Sequence, residues 1–350
     1  MLQAYGAFDG QVSRVVAPRH AAPDELCLFH TPEYVAAVRR LSEGDLSVSP
    51  ARYHFGPGDN PIFPGMYQSE ALKAGAALTG VELLMSDQAQ IVFSFAGGLH
   101  HAGPARASGF CVFNDAAIAI HELLRRGLRV VYIDIDAHHG DGVQAAFYAA
   151  DRVLTISLHE TGNTLFPGTG FMDELGEGEA YGYSVNFPFP PYTDDKPYLE
   201  AFRALVPPLV QRFKPDVVVS QLGCDTHWRD PLTHLNLTTR AYEAVVRDIK
   251  ELAPRWLALG GGGYDLSVVP RAWTLAYGVM AGREFPDELP PSLSHRRAFP
   301  ESGSLTSDNE RGRLRDQRGP FIPEDTRQDV RAIVAAQIEH MRRVLELPAS

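Results

Sequence analysis

Residues 130–142, VVYIDIDAHHGDG, limit what this chain can fold into more than any other stretch. Val130, Val131, Ile133 and Ile135 form a β-branched apolar run, the pattern of a strand covered on both faces, as in a parallel sheet. Five ionisable residues, Asp134, Asp136, His138, His139 and Asp141, crowd the end of that run beside a Gly-containing turn. A lone Asp or His there is ordinarily a loop cap. Five together carry a desolvation cost that only a cation or mutual pairing offsets. Alternate residues of a strand share a face, so Asp134, Asp136 and His138 project the same way if the chain stays extended. A carboxylate and an imidazole two residues apart make part of a zinc site, and a catalytic zinc usually takes three protein ligands and leaves a position for water. The third ligand must come from elsewhere.

Residues 91–95 read as a short apolar strand, followed at once by Gly97, Gly98, His100 and His101. Adjacent histidines on such a loop suit a proton-handling dyad. Further strands are expected over 153–158, 216–220 and 255–259. Helices are expected over 32–41 (capped by Thr31), 66–85, 115–126 (capped by Asn114), 143–150, 239–252 and 267–280. Another spans 194–213, interrupted and kinked at Pro207 and Pro208. The Pro/Gly-rich loop 53–64 exposes Asp59 and Asn60, with Asp59 equally readable as an Asx-turn residue. Residues 284–323, rich in Pro, Ser and charge, predict a surface excursion without chemistry, and 325–345 a final amphipathic helix.

This alternation of strands and helices is that of an α/β fold, a three-layer α/β/α arrangement with a central, mostly parallel β-sheet. In such sheets ligands bind beyond the carboxyl ends of the strands. The polar clusters at His100, Asp136, Phe166, Asp225 and Tyr264 all follow strands and so converge on one pocket; Phe166 reads as a buried anchor or a wall of that site. Asp225, just past the strand at 216–220, supplies the missing ligand. Asp136, His138 and Asp225 with an open position suit Zn²⁺ and also accept Fe²⁺, Co²⁺ or Mn²⁺. The reaction class is metal-assisted hydrolysis.

The charge balance narrows the partners. With 32 basic and 43 acidic residues the net charge is −11, which argues against a broad nucleic-acid footprint. Cys27, Cys111 and Cys224 are few and widely spaced, so free thiols in a reducing compartment are expected. No signal-like segment occupies residues 1–10 and no apolar run reaches membrane-spanning length, so a cytoplasmic protein without a membrane partner is expected.

Five segments, GGLHHAGPARASGFCVFND (97–115), DIDAHHGDGVQ (134–144), LFPGTG (165–170), QLGCD (221–225) and GGGGY (260–264), occur in this order. Together they resemble the zinc-dependent histone deacetylase family, especially its bacterial members with the arginase/deacetylase fold. The resemblance implies one catalytic domain over 1–350 and an amidohydrolase that removes acetyl or short acyl groups from acyl-lysine of a protein, peptide or small acetylated amine. It implies Asp136, His138 and Asp225 as zinc ligands, His101 as general base and later acid, and His100 as its electrostatic partner. Asp134 would orient His100, Asp141 would orient His101, and Tyr264 would donate to the oxyanion. Phe110 and Phe166 would face each other across a tunnel that Leu232 also lines, Asp59 would hold the substrate backbone at the rim, and the Gly109 carbonyl would accept the substrate amide. K⁺ beside Asp134, Asp136, His138 and Ser157 is a further implied ion. An apolar Leu232 favours acyl-lysine over an N-acetylpolyamine, the substrate of the nearest rival; a binuclear arginase-like hydrolase and a silent acyl-lysine-binding module are the others. Two departures stand out: no counterpart of the family's first strand is evident in residues 1–30, and Arg19 is only an imperfect match to an internal-channel arginine.

Overall fold

Six strands carry the apolar runs: β1 (Ile91–Ser94), β2 (Val130–Asp134), β3 (Val153–Glu160), β4 (Ser184–Phe189), β5 (Val217–Gln221) and β6 (Trp256–Leu259). The computed structural model describes residues 1–8, 10, 12–45, 47–294 and 312–348. Around the strands run α1 (Pro23–Leu26), α2 (Pro32–Ser42), α3 (Met66–Met85), α4 (Asp115–Arg125), α5 (Asp141–Phe147), α6 (Asp195–Phe213), α7 (Thr239–Leu252), α8 (Val269–Ala281), α9 (Pro291–Ser294) and α10 (Glu324–Val344). The strand order is β1-β6-β5-β2-β3-β4 and every pairing is parallel.

The two-residue period of the strands divides the core. Val130 and Tyr132 of β2, Val217 and Val219 of β5, and Leu257 and Leu259 of β6 pack with Ala77 and Val81 of α3 and Ile120 and Leu123 of α4. The intervening Val131, Ile133, Val218, Trp256 and Ala258 pack with Tyr198 and Phe202 of α6, Val245 and Ile249 of α7, Ala272 of α8, and Val334 and Met341 of α10. Helices thus cover both faces, and the chain is a three-layer α/β/α protein. No helix of the described residues is long and apolar enough to cross a membrane.

Two elements differ from the sequence-based expectation. Strand β4 lies where no strand was expected, because Pro188 masks it; a proline is compatible with β4 because β4 is the edge of the sheet. Helix α6 runs unbroken through Pro207 and Pro208. Burial of Leu205, Val206, Leu209 and Val210 offsets a mid-helix proline cost of about 3 kcal/mol. In keeping with the expectation for residues 1–30, no strand precedes β1 among the described residues, and Leu2–Tyr5 forms a 3₁₀ turn.

The expected surface excursion is also only partly one. Its residues 295–311 lie outside the described residues, but its flanks are packed: Phe285 and Leu314 are buried with Leu275 and Tyr277. Asp316 is buried as well. Its Oδ2 accepts from Thr239 N and bonds His227 Nε2, both at 2.8 Å, and its Oδ1 accepts from Arg271 Nη1 at 2.9 Å. Burial alone would raise the Asp316 pKa, but the His227 bond and the Arg271 charge outweigh it and hold the carboxyl well below the usual range.

Asp316→Ala strands the buried Arg271 charge and is expected to cost about 3–5 kcal/mol of stability, read by denaturant unfolding at pH 7. The sign with pH follows from the depressed native pKa. The carboxylate's contribution is fully present above the unfolded value of 3.8 and fades as pH falls toward the native one. The gap between wild type and Asp316→Ala is therefore expected to narrow below about pH 4; a gap that widens on acidification would contradict this assignment.

Candidate metal centre and active site

The chain places β3 and β4 on one side of β2, then β5 and β6 on the other. The junction of β2 and β5 is therefore the switch point at which open α/β sheets bind ligands. Asp134 pairs with Gln221 in the β2–β5 register, so the residues just past each strand meet. Ligand atoms of Asp136, His138 and Asp225 all lie within 4.8 Å of one another, and all three residues are buried.

Each carboxylate is fixed before any ion enters into consideration. Asp136 Oδ2 accepts from Gln221 Nε2 at 2.6 Å and from Gly262 N at 2.8 Å, and Asp136 Oδ1 accepts from His138 N at 2.9 Å. Asp225 Oδ1 accepts from Ala137 N at 2.8 Å. His138 Nδ1 stands 3.1 Å from Asp136 Oδ1 and 3.0 Å from Asp225 Oδ2. Burial and the charge of Asp136 push Asp225 up. Burial pushes Asp136 up too, but the charge of His100 and the bond to His138 outweigh it and hold Asp136 down. Two carboxylates this close and dry need positive charge between them, and two carboxylates with one imidazole form an oxygen-leaning set that fits a divalent cation such as zinc.

The tandem histidines are held from behind. His100 Nδ1 lies 2.7 Å from Asp134 Oδ2, which also accepts from Tyr132 OH at 2.7 Å. His101 Nδ1 lies 2.7 Å from Asp141 Oδ1, and the two rings are 4.0 Å apart. Both Nδ1 atoms are thus committed, and Nε2 is the remaining nitrogen of each ring. The pair is electrostatically split. Burial opposes charge on His100, but Asp134 and Asp136 outweigh it and raise its pKa to about 9. Burial, then repulsion from His100, lowers that of His101 to about 4. Environments that push two neighbouring groups apart assign them different acid–base roles.

A cavity of about 370 Å³ opens over these groups, lined among others by His100, His101, Gly109, Phe110, Asp136, His138 and Tyr264. Phe110 and Phe166 are both about half exposed; Phe110 lines the cavity, whereas Phe166 is not among its lining residues. Phe110 stands edge-on to Tyr264 at 5.8 Å, and Phe166 edge-on to His101 at 5.0 Å. Two glycines are required by close approach. A Cβ at Gly109 would come within 2.5 Å of the His101 ring and 2.9 Å of Phe166, and one at Gly262 within 2.1 Å of Asp225 Oδ2. The Gly109 carbonyl accepts from Cys111 Sγ at 3.2 Å.

The remaining expected residues are placed less centrally. Leu232 is 43% exposed on the loop after Asp225, with its N–H donating to Asp230 Oδ1 at 3.0 Å. Asp59 is exposed and is not among the residues lining the cavity. Ser157 pairs with Asp134 across β2 and β3, and its Oγ lies 2.8 Å from His159 Nδ1. Arg19 is not the cation of the cavity: it is half exposed and tied to Glu25 and Glu82 at 2.6 Å each. The cation in the wall is Lys73 of α3, paired with Glu70 at 2.8 Å. Its one sequence signal is that α3 carries no other basic residue. Asp115, expected only as the start of a helix, clamps the loop before the His pair by accepting from Gly98 N and Leu99 N at 3.0 and 2.8 Å. The cysteines are free, as expected.

Residues 1–280 match the histone deacetylase domain. The acetoin utilization protein AcuC of Bacillus subtilis is 44% identical over 299 residues, 83% of this chain and 77% of that protein. AcuC of Staphylococcus aureus strain MRSA252 is 46% identical over 269 residues, 75% of this chain and 69% of its own. The crystal structure of a histone deacetylase homologue from Aquifex aeolicus superimposes with a TM-score of 0.86 at 30% identity, covering 97% of this chain and 91% of that one. A structure of a histone deacetylase homologue complexed with SAHA gives 0.86 at 31% identity, with the same coverage. The domain match, the relatives and the fold agree, and the chain belongs to the histone deacetylase family of metal-dependent deacetylase hydrolases.

Proposed function

We propose that this deacetylase removes acetyl or other short acyl groups from the side-chain amine of acyl-lysine. The observation that carries the reading is the Asp136–His138–Asp225 cluster at a cavity whose walls hold a His pair of split basicity and a tyrosine. When bound by those three residues, a divalent cation supplies Lewis acidity, lowering the pKa of water toward about 7 and polarising the acyl carbonyl. His101, neutral near pH 7, takes a proton from the attacking water at Nε2 and returns it to the departing lysine amine. His100 keeps its proton and places positive charge beside the oxygen that becomes negative. Tyr264, its pKa raised first by burial and then by the charges of Asp136 and Asp225, stays protonated and donates to that oxygen as the acyl carbon becomes tetrahedral. Water's oxygen ends in the carboxylic acid, and its proton on the freed amine.

Phe110, Phe166 and Leu232 supply apolar surface suited to the methylene stem of lysine, Asp59 is assigned to the peptide backbone at the rim, and the Gly109 carbonyl to the substrate amide N–H. A K⁺ ion beside Asp134 and Ser157 belongs to the same proposal. The half-exposed apolar Leu232 favours acyl-lysine over a polyamine, whose cationic tail calls for a carboxylate. A kinetic panel of acetyl-lysine peptides, acetylputrescine and acetylspermidine on the metal-loaded protein tests this. The peptides are expected to lead by at least about tenfold in kcat/KM, or about 1.4 kcal/mol of transition-state preference. A lead by the polyamines would overturn the substrate assignment. Leu232→Glu is expected to narrow the preference several-fold, the scale of one solvent-exposed charge pair of at most about 1 kcal/mol.

A further inference from the structure

Tyr264 follows a run of four glycines, which offer no side chains to pack, so the tyrosine must be held from outside its own loop. Asp230 does this. It is buried, its Oδ2 accepts from Tyr264 N at 2.8 Å, and its Oδ1 accepts from Leu232 N at 3.0 Å. One carboxylate therefore ties the tyrosine's backbone to the loop that leaves Asp225. A second tie lies one residue on: Asp265 Oδ2 accepts from Arg229 Nε at 3.1 Å, with both side chains 9% exposed. The loop carrying Arg229 and Asp230 is fixed in turn by His227. Its carbonyl accepts from Asp230 N at 2.8 Å, its Nδ1 accepts from Arg229 N at 3.2 Å, and its Nε2, left as the donor, meets Asp316 Oδ2 at 2.8 Å. Asp316 lies beyond residues 1–280, the part that matches the family domain.

We propose that Asp230 is a positioning residue for Tyr264 and is the working end of a brace, Asp316–His227–Arg229/Asp230, that carries order from the C-terminal segment to the cavity wall. The inference rests on the deacetylase reading, in which Tyr264 donates to the oxyanion. Asp230 is not among the residues lining the cavity, so it acts through the tyrosine's backbone. A misplacement of about 1 Å in such a donor costs as much as about 100-fold in rate.

Asp230→Asn retains one acceptor oxygen for two N–H donors and so breaks one tie while conserving volume. It is expected to lower kcat 10- to 100-fold with KM and metal content unchanged, and to speed hydrogen exchange at the Tyr264 amide. In a Tyr264→Phe background the same substitution is expected to change kcat by less than twofold, because the donor it positions is gone. Asp316→Asn, which keeps the side-chain volume, is expected to lower kcat two- to tenfold and likewise to lose its effect in that background. A full Asp230→Asn effect in the Tyr264→Phe background would reduce Asp230 to a structural residue and overturn the proposal. So would kcat within twofold of wild type, or unchanged exchange at Tyr264. Wild-type protein inactive on every acyl-lysine peptide and acetylpolyamine would instead defeat the deacetylase reading, and the exchange at Tyr264 would then decide the brace by itself.

Discussion

Asp225→Ala is expected to abolish stoichiometric binding of a divalent ion and to lower deacetylation at least about 1,000-fold. In the proposed centre it offers one of three ligand atoms confined to 4.8 Å, and the nearby Gln221 is already committed to Asp136 Oδ2 and Gly223 N. The lost ion removes several kcal/mol of transition-state charge stabilisation, and about 4 kcal/mol is about 1,000-fold in rate. The substitution also leaves Ala137 N without its acceptor, which adds a structural cost of about 1–3 kcal/mol. Metal analysis and turnover on the same preparation check both halves. A variant that retains one ion per chain and measurable turnover within tenfold of wild type would remove Asp225 from the centre.

Tyr264→Phe separates the ion from the chemistry. The phenyl ring preserves the edge-on contact with Phe110 at 5.8 Å and leaves the backbone tie to Asp230 in place, so folding and metal content should match wild type. Only the hydroxyl goes. Loss of one oxyanion donor typically costs about 100- to 1,000-fold in kcat, or about 2.7–4 kcal/mol. Because the donor acts on charge that develops in the transition state, the loss should fall on kcat with KM nearly unchanged. Near-normal turnover would take the tyrosine out of the mechanism.

What could be read from the sequence was whatever local pattern decides. The VVYID run with its cluster of charges is legible because a strand buried on both faces has no other use for carboxylates at its end, and Asp225 is legible because it follows a second such run. The His100–His101 pair is legible by adjacency. Strand β4 is hidden by Pro188, which an edge position tolerates, and the start of α5 at Asp141 rather than 143 reflects a site residue that is also a helix-opening one. Asp230 and Asp316 were invisible for one reason: the partners that give them their place lie far along the chain. Tyr264 is 34 residues from Asp230, and His227 is 89 residues from Asp316. No local composition encodes such pairings, and in the segment 284–323 the composition points the wrong way. Arg19, an imperfect match from the outset, is paired with two glutamates.

The most direct test is X-ray absorption at the metal edge of the zinc-loaded protein. Asp136, His138 and Asp225 require a first shell of one imidazole nitrogen and oxygens only, at about 2.0–2.2 Å, with no sulfur. A contribution from sulfur at about 2.3 Å would mean that Cys111 or Cys224 binds the ion, and would contradict the site from which the chemistry is derived.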